Sequence, residues 1–445
     1  MYGKLYKNIG LSLIIFAFLF LFEPNYGLID PLPDFIGYII LCFALINLAD
    51  INDKIYSAFK MFRIGAIVGI IKVIAIVIFQ LNFSEDEQLI SGAVISFVSF
   101  VADSIILIAG FKSLYEGLLD LAIFEGGEAV YKKSRENGKN ATEKIYFLTV
   151  FFVLYKGLIC LLPELTSLQS NSQYEFVHVV RWFAIVLVAP ISLIWLIKQI
   201  VYFTKVKNDR PFVDALSQKY ITRAETYPEF YLCRVLFVGL AGIMVAVVFS
   251  LNLYFENVNY IPNAFFFVLV IAFVFFLRKY SSKWKLAFTL SIPGVLLSIL
   301  LFAVEKRFFD RHHIGAIMRD AEAYITYYAM LTIYILVAVL TISVIAVVAL
   351  ILRDIFKEHG RLELAQKDNL IGFNSRAMVF VSLGALASIG NVLYIVSLPY
   401  WGKISFLENS GMVSFVLSVA FIISAFVLYY FVVGEIKYKY KKYLI

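Results

Sequence analysis

The chain has 445 residues, is 61% hydrophobic and only 16% charged, and carries a formal net charge of +7. A soluble domain carries about 25% charged residues, so the composition excludes an ordinary soluble enzyme. The three cysteines, Cys42, Cys160 and Cys233, lie in apolar runs without metal-ligand spacing, which excludes a disulfide framework. The basic excess does not point to nucleic acid, because Lys and Arg gather on the cytoplasmic loops of membrane proteins.

Apolar runs of about 20 residues, the length that crosses a hydrocarbon core, recur along the chain. The first follows Lys4 and Lys7 and ends at Phe22. Glu23-Pro24-Asn25-Tyr26 stands where a signal peptide would have small cleavage-site residues, so the run reads as an uncleaved first span. Twelve spans follow in order: roughly 6–22, 34–49, 64–82, 89–112, 145–164, 178–202, 232–253, 263–278, 286–304, 324–352, 377–398 and 412–434. With both termini cytoplasmic, only Lys306, Arg307, Arg311, Arg319 and Lys403 of the 39 basic residues fall on outer loops. Lys72, Lys156 and Arg181 lie inside spans, and the remaining 31 are on the inner side. The expected fold is an all-α polytopic membrane protein. Long inner segments are expected at 113–144 and 354–376, with a third at 203–231, as solvated helical connectors or amphipathic helices on the leaflet.

The two halves echo each other. FEPNYGLIDPLPDF at 22–35 and FENVNYIPNAFFF at 255–267 both run from Phe-Glu through Asn to a proline that opens a short span. Placing Pro33 on Pro262 aligns Lys54 with Lys283, Ala58 with Ala287, Phe59 with Phe288 and Gly65 with Gly294 at one offset of 229 residues. The sequence therefore predicts two six-helix halves, 1–205 and 225–445, joined by a cytoplasmic connector at 206–224. An even number of spans per half makes this a parallel repeat. The six-plus-six arrangement resembles the architecture of the major facilitator transporters. The loop after the second span reads LADINDKIYSAFKMFR and lacks the glycines and the Asp-Arg step of that family's motif, so the resemblance is one of architecture.

Ionisable residues inside a bilayer cost about 2.5–3.5 kcal/mol each at a helix centre, so each needs a reason. Lys72 lies nine residues beyond Arg63, and Asp103 nine residues before Lys112. Both then sit about 13.5 Å from the cytoplasmic edge on consecutive antiparallel helices, as an ion pair or a coupling pair. Lys156 lies about 18 Å from its inner end, with no evident carboxylate in its own half. Arg181, beside Trp182, reads as an interfacial anchor or a path residue. Lys72, Asp103, Lys156 and Arg181 together give the first half a net +2, which suits an anionic substrate or headgroup. The second half reads as apolar through its middle. Its outer loop at 305–324 holds Asp310, His312, His313, Asp320 and Glu322 in no recognised metal-ligand spacing.

In the stretch FEPNYGLIDPLPDFIGY at 22–38, Asp30 and Pro31 read as a helix cap, with Asp34 one turn further in. Short, proline-interrupted spans in corresponding halves point to a transporter's binding site, which makes Asp34 the testable residue of an outer gate. Walker, dinucleotide and nucleophile-elbow motifs are absent, so neither an enzyme nor a cofactor is expected. Two readings stand. One is a secondary transporter or flippase for a small or lipid-like, anionic substrate, with Lys72, Asp103, Lys156, Asp34 and Arg181 along a path between the halves. The other is a non-transporting sensor, scaffold or assembly partner. The expected partners are the lipid bilayer and an unknown small-molecule or lipid substrate. The richness in Phe (43) and Tyr (28), with Ile and Lys, points to an AT-rich bacterial genome and a bacterial cell membrane.

The orientation is checked with impermeant thiol reagents on single-cysteine variants. Ser282→Cys is expected to react only from the cytoplasmic side and Gly315→Cys only from the outside.

Overall fold

The computed structural model describes residues 10–22, 33–82, 85–131, 140–167, 174–250, 254–255, 258–259, 263–360, 366–400 and 410–440. Among them the chain is helical apart from a two-residue antiparallel ladder, Tyr254–Phe255 on Val258–Asn259. It forms two compact units, Met1–Thr226 and Tyr227–Ile445.

The first unit contains α1 (Leu11–Leu21), α2 (Asp34–Ala49), α3 (Asp53–Asn82), α4 (Glu85–Glu125), the short α5 (Glu128–Tyr131), α6 (Ala141–Ser167), α7 (Tyr174–Asn208) and α8 (Arg210–Thr226). The helices α1, α2, α3, α4, α6 and α7 pack each on the next, and α7 also packs on α1, which closes a ring of six. The centre of this ring is aromatic. The Trp195 ring stacks on Phe152 at 4.4 Å and meets Phe18 edge-on at 5.5 Å. Phe111 completes the cluster at 5.9 Å from Phe18. Stacked and edge-to-face contacts of this kind add directionality to apolar burial.

The second unit contains α9 (Pro228–Val248), α10 (Ala264–Phe276), α11 (Trp284–Arg311), α12 (Ala321–His359), α13 (Gln366–Ser397) and α14 (Ser410–Lys439). These helices also pack in sequence, with α14 returning to α9.

Among the described residues, eight helices are long and apolar enough to cross a membrane: α4, α6, α7, α9, α11, α12, α13 and α14. Three shorter apolar helices, α1, α2 and α10, accompany them. Their outer faces fit lipid contact. On α6, Phe147, Phe151, Leu154, Leu158 and Leu162 are all exposed, and on α4 so are Val94, Phe97, Val98, Val101 and Ile105. Apolar stripes of this size on the outside of a soluble monomer would drive aggregation, whereas a bilayer solvates them. The chain is a multi-pass membrane protein.

Several expectations need correction. The long inner segments contain helix, but part of each continues the preceding helix instead of forming a separate one, since α4 runs on to Glu125 and α12 to His359. The mixed-charge loop at 305–324 begins later than expected, because α11 continues to Arg311. Within it, Asp320 caps α12 by accepting from the Glu322 amide at 3.0 Å. The second helix starts at Asp34, with Pro33 at the N-cap position. Asp30 and Pro31 lie outside the described residues. The stretch after α7 is itself a helix, α8, which buries Phe212, Leu216 and Tyr220 at a spacing of one turn. Phe212 and Leu216 join the aromatic core of the first unit, and Lys219 Nζ holds Glu125 at 2.7 Å.

Two glycines set how closely neighbouring helices approach. A Cβ on Gly65 would lie 3.0 Å from the Tyr38 ring and 2.9 Å from Ile106. A Cβ on Gly294 would lie 2.5 Å from the Phe267 ring. Adding volume to a packed contact costs about 1–3 kcal/mol. Gly65→Val and Gly294→Val are each expected to lower the melting temperature of the purified protein, while Gly434→Ala, inside a helix where a Cβ meets nothing within 4 Å, raises it slightly.

Candidate functional site

The short second helix carries a carboxylate, Asp34, at its first position. Sixteen residues of α2 rise about 24 Å, less than the roughly 30 Å of a hydrocarbon core. Its first residue is Asp34, and α6 passes beside it. There Asp34 Oδ1 lies 3.7 Å from Lys156 Nζ on α6. One turn further along α2, the Tyr38 hydroxyl donates to Asp103 Oδ1 on α4 at 3.3 Å. Asp103 Oδ2 in turn faces Lys72 Nζ on α3 at 3.8 Å. Lys156 Nζ also donates to the Leu21 carbonyl at the end of α1, at 3.5 Å.

All four charged side chains are largely buried, with 12–19% of their surface exposed. They line one cavity of about 60 Å³ with Ser96, Ser99, Ser104, Cys160 and the Phe100 ring. That volume holds about two water molecules. A close approach of α4 and α6 shapes its wall, for any side chain at Gly157 would collide with the Phe100 ring.

Both ion pairs are longer than the roughly 2.7–2.9 Å of a tight charge-assisted hydrogen bond. At such separations the attraction is about 4 kcal/mol at an effective dielectric constant of 20, enough to hold the pairs without direct contact. Two carboxylates, two ammonium groups, a phenol and serine hydroxyls therefore face a small space together. Such a set can accept a proton on a carboxylate and can present a lysine to an anion.

The structure brings together four of the five expected residues, Lys72, Asp103, Lys156 and Asp34. Arg181, half-buried on α7, is not among those lining the cavity. Lys156 does have a carboxylate partner in its own half, which sequence order hides because Asp34 lies 122 residues away. With Asp34 in place of Arg181 the cluster is balanced in charge and not +2. The cavity lies wholly inside the first unit. Tyr38 and the serines are additions that the sequence reading missed. Ser96, Ser99 and Asp103 follow an i, i+3, i+7 spacing that marks one helical face, and Tyr38 stands one turn from Asp34, so the pattern could have found them.

The second unit is not apolar throughout. Glu305 is 1% exposed on α11 and accepts from the Tyr334 hydroxyl at 3.1 Å. In the mixed-charge loop after α11, His312 approaches Asp320 at 3.7 Å. No group of three or more His, Cys, Asp or Glu suited to a metal occurs among the described residues.

No family model, curated protein or solved structure matches the chain.

Removing one partner of a buried ion pair leaves a costly unmatched charge, by about 3 kcal/mol, whereas removing both is nearly neutral. Asp103→Asn is expected to lower the melting temperature, and Lys72→Met combined with Asp103→Asn to recover more than half of the loss. The same cycle at Asp34 and Lys156 should behave alike. Additive losses in both cycles would mean that the pairs carry no coupling.

Proposed function

We propose that this protein is a secondary transporter or flippase of a bacterial cell membrane, in which the charged cavity of the first unit couples a proton to an anionic group. The observation that carries the proposal is the meeting of two loose ion pairs from four helices in one cavity. A proton on Asp103 or Asp34 removes the counter-charge of its lysine. The freed ammonium then becomes a site for a phosphate, carboxylate or similar group on a small or lipid-like substrate. Departure of the anion favours loss of the proton and closure of the pair. A charge-balanced resting state avoids burying a net charge in the bilayer.

We also read the two units as a duplication with parallel orientation, twelve helices crossing in two sets of six and both termini cytoplasmic. The support is positional. The Tyr38 ring covers Gly65, and Phe267 covers Gly294, each pair shifted by the same 229 residues. In the same register Asp34 and Asn263 each stand at the start of a short helix and line a cavity of their own unit.

A second reading is a non-transporting sensor or scaffold. Complete pairing of the four charges favours it, since register-fixing needs nothing more. A solute screen separates the two. Under the transport proposal, at least one phosphate- or carboxylate-bearing solute raises the melting temperature of the purified protein, more at acidic than at neutral pH. Lys72→Met or Lys156→Met abolishes the rise. If no solute shifts the wild type and the variants only melt earlier, the pairs are structural and the scaffold reading stands.

A further inference from the structure

One wall of the charged cavity is the seam between α4 and α6. Phe100 on α4 covers Gly157 on α6, and both residues line the cavity. Both are also only partly buried. Their helix neighbours three residues before and one after face outward: Phe97 and Val101 on α4, and Leu154 and Leu158 on α6, are all exposed. These belong to the faces that fit lipid contact. The seam therefore has a lipid-facing outer lip and a charged inner side, with the Phe100 ring set in it. Asp103 and Ser104 stand about one turn from Phe100 on α4, and Lys156 stands next to Gly157 on α6.

The polar side of the cavity suits a phosphate group. Lys72 and Lys156 line it with loose carboxylate partners at 3.8 and 3.7 Å. Ser96, Ser99 and Ser104 add hydroxyls. Ser104 is 8% exposed, and its hydroxyl has no hydrogen-bond partner among the described residues. A buried polar group of this kind calls for a partner. An ammonium carries three donors and a hydroxyl one, and a phosphate accepts from such a set in several directions at once. The rest of the lining, including Phe100, Leu107, Phe152, Val153 and Leu161, is apolar. A space for about two water molecules admits a phosphate group without a carbon skeleton attached. A larger substrate must leave its remainder outside, and outside this seam lies the bilayer.

We infer that the charged cavity takes the phosphate head of an anionic membrane lipid, which enters sideways from the bilayer between α4 and α6, where Phe100 covers Gly157. The inference rests on the anion site proposed above and selects a lipid over a water-soluble solute as its occupant.

The test uses the purified full chain in detergent at acidic pH and follows melting temperature. The probes are dihexanoyl phosphatidic acid, inorganic phosphate and dihexanoyl phosphatidylcholine. The expected result is a saturable rise with phosphatidic acid, at an apparent affinity at least about tenfold tighter than that of inorganic phosphate, since the seam buries apolar chain. Phosphatidylcholine, whose head carries no net charge, gives no rise. Lys72→Met combined with Asp103→Asn removes one ammonium, keeps the cluster balanced in charge and weakens the phosphatidic acid affinity about tenfold. Equal affinities for phosphatidic acid and phosphate would overturn the inference and leave the anion site standing as one for a soluble solute. No rise with either would overturn the inference together with the anion site. A rise with phosphatidylcholine equal to that with phosphatidic acid, or one unchanged in the double variant, would mark general stabilisation by lipid and overturn it too. The entry route is read in vesicles of equal parts phosphatidylglycerol and phosphatidylcholine. A benzophenone side chain replaces Phe100 or, as the lipid-facing control, the exposed Phe147. Enrichment of phosphatidylglycerol among the photoadducts at the first position over the second supports entry at the seam, and equal ratios overturn it.

Discussion

A charge inside a bilayer has to be matched by something nearby, and in the first unit that constraint organises the helices around it. Lys72, Asp103, Lys156 and Asp34 come from α3, α4, α6 and α2, and none of these groups would be tolerable there alone. Matching Asp34 to Lys156 requires the first residue of α2 to stand level with Lys156 on α6. Matching Lys72 to Asp103 requires α3 and α4 to hold one relative height. Glycine sets the remaining distances, Gly65 admitting the Tyr38 ring and Gly157 the Phe100 ring. The tyrosine on Gly65 is the same one that donates to Asp103, so the packing contact and the polar contact share a side chain.

Beside this polar cavity lies an apolar cluster, and Phe152 belongs to both. The Trp195, Phe18, Phe111 and Phe152 rings fill the middle of the ring of helices. A buried network stands next to them, in which Gln199 accepts from Tyr115 and donates to Thr149, and Trp195 also donates to Thr149. The donors of that network are all engaged, which suits a rigid core. The charged cavity has longer contacts and more exposed side chains, which suits a place where groups exchange partners.

Much of this is legible in the sequence because membrane insertion imposes coarse rules. Apolar length marks the helices, and the second span at 34–49 coincides with α2. The Lys72 and Asp103 pair follows from counting residues to the inner ends of consecutive helices. What stays hidden depends on non-consecutive neighbours. Asp34 and Lys156 meet only because α2 and α6 come together at one cavity, and no local pattern encodes that. Glu305 is hidden for a different reason. It opens a charged run, EKRFFDR, which reads as a loop, yet the helix carries through it and turns the first carboxylate inward.

The central claim is that the charged cavity of the first unit is a working site that opens to water and not only a fastening between helices. Ser104 lines it beside Asp103. The direct measurement is the reaction of a cysteine at Ser104, in a chain whose native cysteines are replaced, with impermeant thiol reagents applied to either side of reconstituted vesicles. The account predicts labelling from both sides, with one side favoured by an imposed pH gradient. Labelling from neither side, or from one side regardless of the gradient, would contradict it.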